Sequence, residues 1–221
     1  MNQGYMREGS RTVGVLGAVV VTLAVGLAAL GASSARAEPA RTVLVMGDSL
    51  SAAYGLAPEE GWVALTAERL AKEKPGWRVV NASVSGETTA GGAARIEGEL
   101  ARNRPAVLIL ALGGNDGLRG LSLKQTRSNL EKMVSAAKAA GARVLLVGMR
   151  MPPNLGKSYT EGFTANFRTV AEAQQVPLLP FLLEPIATER ANFQADHIHP
   201  VAAVQSKLRD HVWPQLVPLL K

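Results

Sequence analysis

The chain has 221 residues, of which 47% are hydrophobic and none is cysteine. That length supports one sizeable hydrophobic core and makes a single domain the expected organisation. The absence of cysteine excludes disulfide bonds, thiolate metal ligands and a cysteine nucleophile. The net charge of +6 includes no lysine- or arginine-rich run, so it indicates a solvated surface and no nucleic-acid partner.

The first 37 residues have the pattern of an export signal. Arg7 and Arg11 precede an uncharged apolar stretch over residues 12–32, and Ala35 and Ala37 match the small-residue pattern of a cleavage site. We predict a cleaved signal peptide over residues 1–37 and a periplasmic or secreted domain over residues 38–221. A retained membrane anchor is the alternative, because the apolar stretch is long for a signal-peptide core.

From residue 43 onward, apolar runs alternate with amphipathic segments. Residues 43–46 are predicted as a strand, residues 61–74 as a helix, and residues 78–80 as a short second strand. Next come a helix over 92–102, a buried strand over 106–112 and a helix over 123–140. The chain closes with a strand over 143–149, a helix over 159–174, an edge strand over 176–179 and a helix over 201–216.

Strands that are apolar along their whole length and alternate with helices predict a parallel sheet covered on both faces. We therefore expect one α/β domain with three layers, α/β/α, and a five-stranded parallel sheet in the flavodoxin-like order 2-1-3-4-5. In that order, ligands bind beyond the carboxyl ends of the first and third strands, where the strand order reverses.

A serine, an aspartate and a histidine have the residue types and the positions of a catalytic triad. Ser49 follows the first strand in "GDSLS", where a helix cap is the ordinary interpretation and a helix dipole would favour an oxyanion. Asp196 and His199 lie three apart in "ADHIHP", a spacing that lets the carboxylate reach Nδ1 and leaves Nε2 free to accept a serine proton. We predict Ser49 as the nucleophile and His199, rather than His197, as the base.

Three donors are predicted to form an oxyanion hole: the backbone N–H of Ser49, the N–H of Gly86 in "NASVSGET", and the side-chain amide of Asn115 in "GGND". Taken alone, Gly86 and Asn115 are ordinary turn residues. Their occurrence together, at the ends of separate strands, favours catalysis. Asp48 and Asp116 are assigned to turn and loop structure.

The segments "GDSLSAAYG", "NASVSGET", "GGNDGLRG" and "DHIHP" resemble the successive sequence blocks of the GDSL, or SGNH, hydrolases. The resemblance extends over nearly all of residues 38–221. It implies the SGNH-hydrolase fold, no cofactor and no metal, a triad of Ser49, Asp196 and His199, and an oxyanion hole of Ser49, Gly86 and Asn115. It also implies aryl esters, acyl-CoA thioesters and lysophospholipids as substrates, and we expect a monomer that contacts membrane surfaces only transiently.

Two positions depart from the family's pattern. Ala53 stands where relatives often have glycine, and Ala111 stands where an acidic residue often precedes "LGGND". The second departure removes a charge near the expected crevice, so the substrate preference transfers less directly than the triad. Apolar segments over residues 118–123 and 149–155 are candidate walls for an acyl chain, although core packing explains them equally well.

Three other classes of protein deserve comparison. A dinuclear metallophosphoesterase also uses "GD" and "GN" turns and a pair such as His197 and His199, but "GDSLS" lacks its second aspartate, "GGND" lacks its histidine, and His211 is the only other histidine, which leaves two metals short of ligands. An ordinary α/β-hydrolase requires a G-x-S-x-G elbow, which is absent. A non-catalytic acyl-chain carrier would keep the fold without activity, and hydrolysis of a p-nitrophenyl ester distinguishes it from an esterase.

Overall fold

The computed structural model describes residues 40–221, and its centre is a parallel sheet of five strands in the order β2-β1-β3-β4-β5. This order confirms the predicted fold class. The strands are β1 (Arg41–Gly47), β2 (Trp77–Asn81), β3 (Val107–Ala111), β4 (Arg143–Val147) and β5 (Leu178–Leu179).

Helices cover both faces of the sheet. One face packs against α1 and α6, and the other packs against α2, α4 and α5. The helices of residues 40–221 are α1 (Trp62–Glu73), α2 (Thr89–Asn103), α3 (Gly114–Leu118), α4 (Leu123–Ala139), α5 (Lys157–Gln174) and α6 (Gln205–Leu216).

Strand β1 shows why the apolar runs in the sequence are continuous. Val43 and Val45 pack into the hydrophobic cluster beneath α1 and α6, whereas Leu44 and Met46 pack into the cluster beneath α2, α4 and α5. Successive side chains of a strand point to opposite faces, and both faces of this sheet are covered. A central strand therefore has no position that favours a polar residue.

Several element boundaries differ from the prediction. Helix α2 begins at Thr89, three residues early, because the Thr88 hydroxyl caps it by accepting a hydrogen bond from the Gly91 N–H. The "GGND" segment forms the short helix α3 rather than a simple turn. Strand β5 has only two residues.

The interpretation of Ser49 as a helix cap is wrong. Ser49 lies in consecutive turns that run from residue 49 to residue 55, and the next α-helix begins only at Trp62. The Tyr54 N–H donates to the Ser49 carbonyl at 3.1 Å, which closes one of these turns. Because no helix begins at Ser49, the dipole of such a helix does not act on this residue.

The N-terminal prediction concerns a different part of the chain. The proposed signal peptide, residues 1–37, lies outside the described residues. Between residues 40 and 221, no helix combines the length and the apolar character needed to cross a bilayer.

Candidate active site

The carboxyl ends of the strands surround one cavity of about 490 Å³, where several of the predicted site residues meet. Ser49 reaches it directly after β1, and Asn115 reaches it from α3, after β3. His197 and His199 enter from the loop that precedes α6. The cavity thus lies at the reversal of strand order, between β1 and β3, as expected for this sheet.

A chain of two hydrogen bonds joins Ser49, His199 and Asp196. His199 Nε2 lies 2.8 Å from Ser49 Oγ, and His199 Nδ1 lies 2.7 Å from Asp196 Oδ2. The other carboxylate oxygen, Oδ1, accepts hydrogen bonds from the backbone N–H groups of Ile198 and His199 at 2.9 and 3.0 Å. A carboxylate held in this way can fix the imidazole with Nδ1 protonated and Nε2 open toward the serine.

The electrostatics of Asp196 favour its charged form. The hydrogen bonds from the His199 N–H and the His199 side chain, together with that from the Ile198 N–H, hold the pKa of Asp196 well below its usual range. Asp196 is therefore a carboxylate at neutral pH and can stabilise positive charge that develops on His199.

His197 and His199 differ in their contacts although both line the cavity. The Asp196 carboxylate bonds to His199 and not to the adjacent imidazole, while the His197 N–H donates to the Gln194 carbonyl. His197 has a φ of +65°, and this left-handed residue turns the chain between the aspartate and His199. The ring of Tyr54 lies against His199, with 4.4 Å between the ring centroids.

Asp48 is buried directly beside the serine. Its Oδ1 accepts a hydrogen bond from the Leu50 N–H at 3.0 Å, which shapes the turn that presents Ser49. Burial raises the pKa of Asp48 to about 6, against the opposing effects of the Leu50 N–H and of a charge on His199. Among residues 40–221, the Asp48 carboxylate accepts a hydrogen bond only from this backbone N–H, which suits a turn-forming role.

Asn115 connects the cavity to the loop that contains Gly86. Its Nδ2 donates to the carbonyl of Glu87 at 3.0 Å. An amide NH₂ has two hydrogens, so one remains for a ligand in the cavity that Asn115 lines.

Gly86 lies in the neighbouring loop and is not among the residues that line the cavity. Its φ of +80° is a left-handed conformation that suits glycine. Its carbonyl accepts a hydrogen bond from Arg119 Nη2 at 3.1 Å, and the next carbonyl accepts from Asn115. The structure therefore places Ser49, Asn115 and His199 around the cavity and Gly86 one residue from the Asn115 contact.

Two further side chains hold this arrangement in place: Arg95, which was not predicted as a site residue, and Asp116, which was predicted to have a structural role. Arg95 donates to the Glu87 carboxylate at 2.7 Å and to the Ala82 carbonyl at 2.6 Å, which ties the Gly86 loop to α2. Asp116 accepts a hydrogen bond from the Thr89 N–H at 2.8 Å and so joins α3 to the start of α2. No short-range pattern indicates these pairs, because eight or more positions separate the partners.

The walls of the cavity are mainly apolar. Leu118 and residues 149–153 line it, so parts of both predicted wall segments contribute. Additional apolar residues come from regions that were not predicted: Phe181, Leu183, Ala187 and Phe193. Within residues 40–221, no group of three or more histidine, cysteine, aspartate or glutamate side chains has the arrangement of a metal site.

Comparison with known proteins identifies close relatives over most of the chain. Esterase TesA of Pseudomonas aeruginosa is 50% identical over 181 residues, which cover 82% of this chain and 90% of that protein. Thioesterase 1/protease 1/lysophospholipase L1 of Escherichia coli K12 is 40% identical over 185 residues, 84% of this chain and 88% of that protein.

A solved structure is similar in both fold and sequence. The psychrotrophic esterase EstA of a Pseudoalteromonas species, in a structure inhibited by monoethylphosphonate, superposes with a TM-score of 0.78 at 37% identity and covers 81% of this chain and 98% of that chain. Residues 45–206 match the GDSL-like Lipase/Acylhydrolase family, a span that begins inside β1 and includes the whole serine–histidine cavity. The similarity in fold and sequence to these relatives, together with the match to the family, shows that the chain belongs to the GDSL-like Lipase/Acylhydrolase family.

Proposed function

We propose that this protein is an exported serine esterase that hydrolyses acyl esters and thioesters through an acyl-enzyme on Ser49, without a cofactor. The observation on which this depends is the hydrogen-bonded series from Ser49 through His199 to Asp196, at the edge of an apolar cavity. Such a series activates a hydroxyl that is otherwise a weak nucleophile.

In the first half of the reaction, Ser49 Oγ attacks the carbonyl carbon of the substrate while His199 Nε2 takes the hydroxyl proton. The tetrahedral intermediate then collapses, the bond to the leaving oxygen or sulfur breaks, and His199 returns the proton to the leaving group. In the second half, a water molecule attacks the acyl-enzyme with His199 as base. The acid departs, and the proton returns to Ser49 Oγ.

The negative charge on the tetrahedral intermediate requires hydrogen-bond donors. We assign this role to the N–H groups of Ser49 and Gly86 and to the side chain of Asn115. The Arg119 contact to the Gly86 carbonyl and the Asn115 contact to the Glu87 carbonyl support the assignment, since they hold the two peptide groups that follow Gly86 in its loop. One donor of this kind contributes about 10²–10³ in rate in comparable enzymes.

The substrate class follows from the cavity and from the relatives. The relatives are named as an esterase and as a thioesterase and lysophospholipase. A cavity of about 490 Å³ with mainly apolar walls is large enough for an acyl chain. We propose aryl esters, acyl-CoA thioesters and lysophospholipids as substrates of this chain.

The decisive experiment compares two neighbouring serines. Ser49→Ala should fold normally and lose nearly all hydrolysis of p-nitrophenyl butyrate, and a fluorophosphonate probe should label the wild type but not this variant. Ser51→Ala is the matched control, because Ser51 lies in the same turn but its buried hydroxyl has no hydrogen-bond partner within residues 40–221 and does not line the cavity. Full activity in Ser49→Ala would rule the mechanism out.

The competing classes predict different results in the same assay. A metal-dependent phosphoesterase should lose activity with EDTA and regain it with added metal, whereas the serine mechanism is insensitive to chelation. A non-catalytic acyl-chain carrier should bind a fatty acid and release no p-nitrophenol.

Export and surface contact complete the proposal. Mass spectrometry of the periplasmic or secreted protein should find an N-terminus at Glu38 or within a few residues, whereas an intact N-terminus in the membrane fraction would indicate an anchor. Transient contact of a monomer with lipid is supported by the exposed apolar side chains, which lie on loops and on α3 at the cavity end of the sheet: Tyr54, Val84, Leu118, Leu121 and Ile198. Co-sedimentation with anionic vesicles tests this contact.

A further inference from the structure

One residue that lines the Ser49 cavity carries a permanent positive charge. Of the described residues around the cavity, the other titratable side chains are the buried Asp48 and the two histidines, His197 and His199. Arg150 is therefore the only group there that is cationic at every physiological pH. The proposed mechanism does not use it.

The backbone at the end of β4 determines where Arg150 lies. The Gly148 N–H donates to the Leu179 carbonyl at 2.7 Å, and the Gly148 carbonyl accepts from the Leu182 N–H at 3.1 Å. A Cβ at Gly148 would lie only 2.4 Å from the Pro180 carbonyl oxygen, so glycine permits the two segments to pass this closely. The loop after β4 is thereby held against the segment after β5.

This close approach places Arg150 between two residues of the segment after β5. Its guanidinium carbon lies 5.0 Å from the centroid of the Phe181 ring, and its Nη1 lies 2.9 Å from Glu184 Oε2. Phe181 lines the cavity, whereas Glu184 does not. The aromatic ring supports the guanidinium at the cavity wall while the carboxylate neutralises it from outside.

The ion pair with Glu184 is exchangeable. The two side chains are 51% and 52% exposed, and exposed pairs of this kind add little stability. A guanidinium has five N–H donors, so most of those on Arg150 remain for another acceptor. Phosphate and carboxylate groups match its planar fork and bind it through charge-assisted hydrogen bonds.

We infer that Arg150 forms a subsite for an anionic oxygen group, a phosphate or a carboxylate, on the ester or thioester that Ser49 cleaves, and that Glu184 competes with this group. The inference rests on the proposed function and narrows its substrate class to acyl compounds with an anion near the scissile bond. The apolar walls bind the acyl chain, and Arg150 binds the charged part.

Three pairs of substrates with the same acyl group separate the sources of the anion. They are octanoyl-CoA against octanoyl-pantetheine, octanoyl-glycerol phosphate against octanoyl-glycerol, and 3-octanoyloxybenzoate against its methyl ester. The measured quantity is the ratio of kcat/KM for the anionic member to that for the neutral member. A substitution that affects folding or Ser49 changes kcat/KM for both members of a pair by the same factor. This factor cancels in the ratio.

Two substitutions should move that ratio in opposite directions. In Arg150→Gln the ratio should fall about tenfold in at least one pair, because a charge-assisted hydrogen bond is lost. In Glu184→Gln the ratio for the same pair should rise by roughly threefold, because the competing carboxylate is gone. Arg102→Gln is the matched control, since it removes an equal charge from an exposed arginine that pairs with Glu99 outside the cavity, and its ratio should stay at the wild-type value.

Ratios within twofold of wild type for all three pairs in Arg150→Gln would overturn the inference. A fall in Glu184→Gln that parallels the fall in Arg150→Gln would also overturn it, because the pair would then only support the cavity wall. Failure of the proposed function is a separate result, namely hydrolysis of both members of a pair by Ser49→Ala.

Discussion

His199 Nε2 lies 2.8 Å from Ser49 Oγ, although 150 positions separate the two residues in the chain. The contact joins the turn after the central strand β1 to the loop before the last helix, α6. Because these two segments end at the same edge of the sheet, the contact depends on the complete fold and not on either segment alone.

The two histidines of the last loop should differ sharply in importance. His199→Ala should lower kcat by several orders of magnitude, because it removes the proposed base, which contacts Ser49. His197→Ala should lower kcat by at most about tenfold, because Asp196 bonds to His199 and not to His197. Steady-state kinetics on a p-nitrophenyl ester measures both, and a larger loss in His197→Ala would show that the proposed base is wrong.

Asn115→Ala tests the oxyanion assignment. We expect kcat to fall by about 10²-fold with little change in KM, because the donor acts mainly when negative charge develops on the substrate. The thermal midpoint of unfolding serves as the control, since the substitution also removes the contact to the Glu87 carbonyl. An unchanged kcat with a raised KM would mean that Asn115 only binds the substrate.

Asp48 should make the stability of the protein depend on pH. Burial raises its pKa to about 6 in the folded state, above its ordinary value of 3.8. The contribution of Asp48 to the free energy of unfolding is therefore fully present below pH 4 and is lost as the pH rises through 6. The loss amounts to about 3 kcal/mol.

Urea unfolding of the wild type and of Asp48→Asn between pH 4 and pH 7 measures this contribution. Asparagine cannot ionise but keeps an oxygen for the Leu50 N–H. The difference in unfolding free energy, variant minus wild type, should rise by about 2 kcal/mol over that range, which covers most of the transition. A difference that stays constant with pH would mean that Asp48 titrates at its ordinary value in the folded state.

A double-mutant cycle tests the packing of the turn behind Ser49. A Cβ at Gly61 would lie 2.7 Å from the Cβ of Ala53, so Gly61→Ala should cost about 1–3 kcal/mol of unfolding free energy. Ala53 has a φ of +59°, a conformation that glycine adopts without strain. In the Ala53→Gly background the cost of Gly61→Ala should fall by at least about 1 kcal/mol. Equal costs in both backgrounds would show that the clash is relieved elsewhere.

Much of this protein could be predicted from its sequence. The order of strands and helices followed from continuous apolar runs, because residues 43–46 of β1 and 107–110 of β3 are buried on both faces and are all apolar. The contact between Asp196 and His199 could also be predicted, because residues three apart in a tight turn lie close together whatever the rest of the chain does. Glycine, which the family resemblance leads one to expect at position 53, would adopt the positive φ of Ala53 without strain.

Other features depend on contacts between distant segments. The sequence could not indicate that Ser49 lies in a series of turns rather than at a helix start, because an aspartate and a serine after a strand suit both structures. Nor could it indicate that Arg119 binds the Gly86 carbonyl, or that Arg150 pairs with Glu184 beside the cavity. These pairs form only where the strands end at a common edge, so their partners are chosen by the order of the strands in the sheet and not by their spacing in the chain.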